Sequence, residues 1–101
     1  MTEVREDGRV RLRLQGELDL ATAPMVAQRL RTLSRQRATV VLDLDELAFI
    51  DMSGLRMLLA AAENAARDGW ALTVTHGSAA VRRLTDLVQL DRALPLDEGS
   101  R

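Results

Sequence analysis

The sequence predicts a single α/β domain with a mixed sheet of four to five strands, an antiparallel edge strand and about three to four helices. Its 101 residues fit one small domain and are too few for two. Strand patterns alternate with helix patterns in the order β-β-α-β-α-β-α, which is typical of a largely parallel sheet joined by crossover helices. No linker or repeat interrupts them, so 1–101 is expected to be one domain, with its core at about 9–96 and polar ends.

The N-terminal segment predicts a β-hairpin. Apolar residues alternate with arginines, which is the pattern of a strand with one buried face and one wet face; they are Val10, Leu12 and Leu14. Asp7-Gly8 is a hairpin turn signal, so residues 2–6 are expected to pair antiparallel with this strand. Gly16 and the acidic residues Glu17 and Asp19 are expected to end it.

The first helix is expected at about 23–35. Thr22 is a suitable cap, and Pro24 fits the first turn, where its missing N–H group costs nothing. Apolar residues at helical spacing give the helix one buried face: Val26, Leu30 and Leu33.

The middle of the chain predicts a buried strand and a second helix. Residues 39–44 form a nearly continuous apolar run, which suits a central strand covered on both faces. A second apolar stretch follows at 47–50. Three acidic residues lie near the end of the first run or between the two runs: Asp43, Asp45 and Glu46. We interpret them as turn and strand-end residues rather than metal ligands. The second helix is expected at about 54–67, with Ser53 at or beside its N-cap and Gly69 as its stop.

The last part predicts a strand at 70–75 and a third helix capped by Ser78. That helix has apolar residues at helical spacing: Val81, Leu84, Leu87 and Val88. A terminal strand stub is expected at 94–96.

The composition excludes most catalytic chemistry. The chain has no Lys and no Cys and a single His, so it lacks a phosphate-loop lysine, a thiolate nucleophile and a multi-histidine metal site. We therefore expect no enzyme activity, no cofactor and no metal.

Charge and hydropathy also restrict the partners. A net charge of −1 argues against a protein that binds nucleic acid or an anionic membrane. Four arginines alternate with other residues near the N-terminus: Arg5, Arg9, Arg11 and Arg13. We interpret them as the solvated face of a strand. No apolar run is long enough to cross a bilayer, and no signal peptide is visible. A cytoplasmic location is therefore expected.

Residues 49–55, with the sequence FIDMSGL, place Ser53 between a buried strand and the start of a helix. The unpaired N–H groups and the dipole of a helix N-terminus favour an anion, so a phosphate on Ser53 would be stabilised there. An ordinary serine cap is the alternative interpretation. A hydrolase triad of Ser53, Asp51 and His76 is a weaker one, because the nucleophile-elbow sequence is absent.

Three motifs in register resemble the STAS domain family, specifically the bacterial anti-sigma factor antagonists. The segment from Val40 to Ala62 resembles the family's strand, serine turn and leucine-rich helix. The second motif is Gly16-Glu17-Leu18-Asp19, and the third is Ala80-Val81-Arg82-Arg83-Leu84. The similarity covers about 10–96.

The resemblance implies a partner switch. In that family, the unmodified antagonist binds an anti-sigma factor with a GHKL-type serine kinase fold and thereby frees the sigma factor. Phosphorylation of the serine before the Gly-Leu pair ends this binding until a PP2C-type phosphatase removes the phosphate. Carried over to this chain, the phosphorylated residue is Ser53.

The residues expected to contact the partner lie around Ser53: Asp19, Thr22, Asp51, Met52, Gly54 and Arg56. Met52 departs from the family, in which many members have a second serine, and is interpreted as a partner contact or a core residue. Gly54 would allow close approach of a partner backbone or would relieve crowding at the turn. Arg56 is expected to project from the first turn. The alternative function is a STAS scaffold that is never phosphorylated, such as an accessory subunit of a bacterial lipid transporter.

Overall fold

The computed structural model describes residues 1–88 and contains four strands and three helices within them. In chain order they are β1 (Thr2–Glu6), β2 (Arg9–Leu18), α1 (Ala23–Arg35), β3 (Thr39–Ile50), α2 (Met52–Asp68), β4 (Leu72–Val74) and α3 (Ala79–Val88). The predicted α/β class and element order are confirmed. The predicted stub at 94–96 and the apolar contacts of Leu87 and Val88 lie outside the described side chains.

The four strands form one mixed sheet in the order β1-β2-β3-β4. β1 is antiparallel to β2, and β3 is parallel to both β2 and β4. The predicted hairpin closes at Asp7 and Gly8, whose φ angles of 53° and 76° match the twist of a two-residue hairpin turn.

The core lies between one face of the sheet and the helices. Alternate residues of β2 and β3 supply buried side chains, and α1 and α2 cover them with their apolar faces. The third helix packs on β3 and contributes Val81, which is 1% exposed. The bounds predicted for β1 and α1 are confirmed.

β2 and β3 are both longer than predicted. β2 continues through Gly16 to Leu18, and β3 is one strand from Thr39 to Ile50 rather than two stretches separated by a turn. The register shifts twice, so β3 has extra residues opposite the segments Arg13/Gln15 and Gly16/Glu17. These bulges keep β3 in the sheet although its last buried residues are spaced by three: Leu44, Leu47 and Ile50.

Asp43 corrects two of the sequence interpretations. It lies inside β3, on the face opposite Leu42 and Leu44, and is only 5% exposed. Arg11 Nη1 donates to its Oδ2 at 3.0 Å, and Arg13 Nε lies 3.5 Å from the same oxygen. Asp43 is therefore not a strand-end acid, and these two arginines are not simply solvated. The hydrogen bond from Arg11 to Glu6 and the contact with Asp43 raise the pKa of Arg11.

A second ion pair joins β1 to α1. Arg29 Nε and Nη2 donate to the two carboxylate oxygens of Glu3 at 2.6 and 2.8 Å. The hydrogen bond from Arg29 lowers the pKa of Glu3 below its ordinary value of 4.5. This bidentate contact fixes the edge strand to the helix layer.

We expect Asp43→Ala to destabilise the protein by about 2 kcal/mol, because it removes the buried carboxylate that accepts a charge-assisted hydrogen bond from Arg11. Urea unfolding followed by circular dichroism measures the change. Asp45→Ala is the matched control, since Asp45 is an exposed acid two residues away on the same strand. Equal effects of the two substitutions would contradict a structural role for Asp43.

The Glu3 contact predicts a specific pH dependence. A lowered pKa in the folded state means that ionised Glu3 stabilises the fold above about pH 4.5 and that this contribution disappears as the pH falls through the folded pKa. Glu3→Gln is therefore expected to be less stable than the parent at pH 7 and equally stable at strongly acidic pH. Urea midpoints across this range test it, and a difference that is independent of pH would refute the assignment.

Candidate functional site

The carboxyl ends of β2 and β3 bring the two predicted site segments together. Leu18 is opposite Ile50 in the parallel register, and Asp51 N donates to Leu18 O at 3.2 Å. The loop after β2 and the start of α2 therefore leave the sheet side by side. We call this end of the sheet, formed by residues 19–25 and 49–56, the switch edge.

Asp51, not Ser53, is the N-cap of α2. It has extended backbone angles, and its Oδ1 accepts a hydrogen bond from Gly54 N at 3.0 Å. The helix begins at Met52, so the predicted start at residue 54 was two residues late. Ser53 is consequently the second helical residue rather than the cap, and Arg56 lies in the second turn instead of the first.

The Ser53 side chain is left without a structural partner within residues 1–88. It is half-buried, and its hydroxyl forms no hydrogen bond with another described residue. The first turn of α2 contains no acidic residue, and the carboxylate at the positive end of the helix dipole is that of the N-cap, Asp51. The absence of a hydrogen bond from Ser53 to Asp51 or His76 in this region gives no support to a hydrolase triad.

Gly54 allows α2 to lie against the end of β2. A Cβ atom on Gly54 would lie 2.4 Å from Leu18 O and 2.8 Å from Leu18 Cγ, both well inside van der Waals contact. Gly54 is itself buried. The structure thus gives this glycine a packing function within the fold, which corresponds to the crowding interpretation of the sequence.

Asp19 and Thr22 order the loop between β2 and α1. Asp19 Oδ1 accepts hydrogen bonds from Ala21 N and Thr22 N, each at 3.0 Å. Thr22 Oγ1 accepts from Asp19 N at 2.9 Å and donates to Glu17 O at 2.9 Å. Thr22 precedes α1 as predicted, but its side chain makes no capping hydrogen bond to that helix. Both residues hold the backbone of the switch edge in one conformation.

The switch edge also exposes apolar side chains that the sequence interpretation missed. Leu20 is 75% exposed, Met25 63%, Phe49 50% and the predicted site residue Met52 40%. Two features of the sequence could have indicated these exposed side chains. Leu20 occurs in a turn that otherwise contains polar and small residues, and Met25 lies beside the buried face of α1. Arg56 is exposed at the same end of α2.

The fold and the arrangement of this edge define a small α/β domain in which a helix starts directly at the end of a central parallel strand. A family model described as "Mlab, STAS domain" matches residues 1–96. The chain belongs to the STAS domain family.

Solved structures of similar fold include anti-sigma factor antagonists. One from Mycobacterium paratuberculosis is 27% identical, with a TM-score of 0.83 over 98% of this chain and 85% of that one. The unphosphorylated form of the anti-sigma factor antagonist SpoIIAA is 20% identical, with a TM-score of 0.75 over 97% and 88%. Its phosphorylated form, from Bacillus, has a TM-score of 0.69 at 20% identity over 97% and 91%.

Residues 1–88 contain three helices, α1, α2 and α3. None of their helices has the length and apolar character needed to span a membrane. This part of the chain also contains no group of three or more acidic or histidine residues suited to a metal ion.

We expect Gly54→Ala to destabilise the fold by about 2 kcal/mol, because the overpacking against Leu18 O exceeds the gain in helix propensity. Ser53→Ala is the matched control: it lies at the preceding position of the same helix, and its hydroxyl has no partner in the described region. Urea unfolding should separate the two variants clearly. A Gly54→Ala protein as stable as the parent would contradict the close approach.

Proposed function

We propose that this chain is an anti-sigma factor antagonist that is switched off by phosphorylation of Ser53. The unmodified form binds an anti-sigma factor with a GHKL-type serine kinase fold, and the sigma factor is released. The bound kinase phosphorylates Ser53, and a PP2C-type phosphatase restores the active form. The observation that supports this proposal is the position of Ser53 in the first turn of α2 of a STAS domain. Its side chain is partly exposed, and its hydroxyl forms no hydrogen bond with any of residues 1–88.

The neighbouring structures support the same assignment. The Mycobacterium paratuberculosis protein is described as an anti-sigma factor antagonist, and SpoIIAA has been solved both without and with phosphate. A protein of this fold therefore accommodates the modification that the proposal requires.

The exposed apolar residues supply the surface that a partner would bury. Leu20, Met25 and Met52 lie on adjacent parts of the switch edge, where the loop and both helix starts meet. Large apolar side chains surrounded by polar ones are typical of protein-binding sites. Met52 adapts readily to a partner surface because its side chain is unbranched and flexible.

A phosphate on Ser53 would oppose this binding without a change of fold. It adds about 1.5 to 2 negative charges to an edge that already contains Asp19 and Asp51. A partner surface suited to the apolar residues and the neutral hydroxyl would then face a hydrated dianion. A penalty of about 3 kcal/mol lowers affinity more than a hundredfold.

A second candidate is a STAS interaction module that is never phosphorylated, for example an accessory subunit of a bacterial lipid transporter. The observation in its favour is the matching family model, whose description names Mlab and not an anti-sigma factor. In this function the switch edge would be a permanent docking surface, and Ser53 would be one of its polar contacts.

The proposal predicts phosphorylation at Ser53 alone. Incubation with ATP and the serine-kinase-type anti-sigma factor from the same genome is expected to add one phosphate, which peptide mass spectrometry would map. Ser53→Ala should remain unmodified, whereas Ser78→Ala, a serine before another helix, should be phosphorylated like the parent. Phosphate at any other residue would sink the assignment.

Binding measurements with the same partner separate the two candidates. In the switch, Ser53→Ala retains affinity, Ser53→Asp loses at least tenfold, and the phosphorylated protein loses more than a hundredfold because it carries the larger charge. In the scaffold, Ser53→Ala and Ser53→Asp bind their partner equally.

A further inference from the structure

A groove between α1 and α2 begins beside the switch edge, at Ala27 and Met57, and extends to the opposite end of the two helices. Both helices start at the carboxyl ends of the strands, so their last turns lie at the other end of the sheet. The groove has a volume of about 490 Å³. Its apolar lining is formed by Ala27, Leu30, Met57, Ala60, Ala61 and Trp70. We call it the helix groove.

Arginines border the helix groove on both sides. Arg31 and Arg35 line it from α1 and Arg67 from α2, and Arg37 lines the adjoining hollow beyond Trp70. Arg31 and Arg35 form no ion pair with any residue between 1 and 88.

Among residues 1–88, Asp68 is the one acidic residue that lines the helix groove, and it is already engaged. Arg67 Nε lies 3.7 Å from its carboxylate, and Arg37 donates to its backbone oxygen at 3.4 Å. The C-terminal ends of α1 and α2 each add about half a negative charge. The four guanidinium groups carry more positive charge than these helix ends and Asp68 carry negative charge. The groove is therefore positive in a chain whose net charge is −1.

The spacing of the charges indicates the shape of the ligand. Arg31 and Arg35 are one helical turn apart, about 6 Å along α1, and Arg67 faces them from the other helix. Arg31 and Arg35 lie on successive turns of one rim and Arg67 lies on the other, whereas a site for a single phosphate needs its donors around one point. Several carboxylates at intervals of one turn match them better.

We propose that the helix groove binds an acidic amphipathic helix of a partner protein. Its apolar residues would lie on the floor between Leu30 and Met57, and its carboxylates would contact the arginines of both rims. On α2 the lining residues extend from Met57 to Asp68, about 16 Å, which is the length of three helical turns. This inference does not depend on phosphorylation of Ser53.

The single tryptophan of the chain makes the proposal directly measurable. Trp70 is half-buried and lines the groove, so its fluorescence reports occupancy without a label. The probe is a synthetic peptide of twelve residues with blocked ends, in which leucines recur every three or four positions and the others are glutamate or alanine. We expect a saturable fluorescence change that weakens as salt is added.

Control variants and a control peptide distinguish binding at this site from nonspecific binding. The double variant Arg31→Gln/Arg35→Gln is expected to bind the peptide at least tenfold more weakly. Arg9→Gln/Arg83→Gln changes the net charge equally at exposed positions outside the groove and should bind like the parent. Circular dichroism verifies that both variants are folded. A peptide with lysine in place of glutamate should not bind.

Four outcomes would overturn the proposal. They are no saturable binding of the acidic peptide, equal binding of the lysine peptide, equal affinity of the two double variants, and binding of phosphatidylglycerol vesicles in place of the peptide. The last outcome would assign the groove to a lipid surface instead of a protein helix.

Discussion

The junction between the ends of β2 and β3 is the constraint on which the rest of this structure depends. Asp51 N binds Leu18 O, and α2 begins immediately afterwards because Gly54 has no Cβ to collide with that same oxygen. One backbone carbonyl therefore fixes both the end of the sheet and the position of the helix. The loop held by Asp19 and the hydroxyl of Ser53 are brought side by side as a result.

Asp19 and Asp51, the two acids of the switch edge, act first on the backbone. Asp51 caps α2 and Asp19 accepts two N–H groups of its own loop, so each carboxylate has a structural function that is complete without a partner. Their charges nevertheless remain at the edge. In the proposed function, a frame whose acids are already engaged would have few ways to rearrange around a phosphate, so the switch would operate by repulsion rather than by refolding.

Much of this architecture could be predicted from periodicity and turn chemistry, including β1, α1 and the order of the elements. The continuity of β3 could not, because its bulges change the spacing of buried residues from two to three, and Asp45 and Glu46 resemble a turn. Asp43 could not either, since its burial depends on Arg11 and Arg13 from another strand. For the candidate site, the sequence predicted Ser53 near the start of a helix, and the resemblance implied partner contacts at Asp19 and Asp51, whose hydrogen bonds to the backbone it did not predict. The cap at Asp51 is a local contact with Gly54 N, whereas the close approach of Gly54 to Leu18 becomes visible only when two distant segments meet.

The length of α2 separates Ser53, at its start, from Arg67, in its last turn. Its 17 residues extend about 25 Å, and the Debye length at physiological ionic strength is about 8 Å. Ions in solution thus screen charge placed at one end from charge at the other. If both proposals hold, a phosphate on Ser53 would therefore have little electrostatic effect on a helix held by the arginines at the far end of the groove.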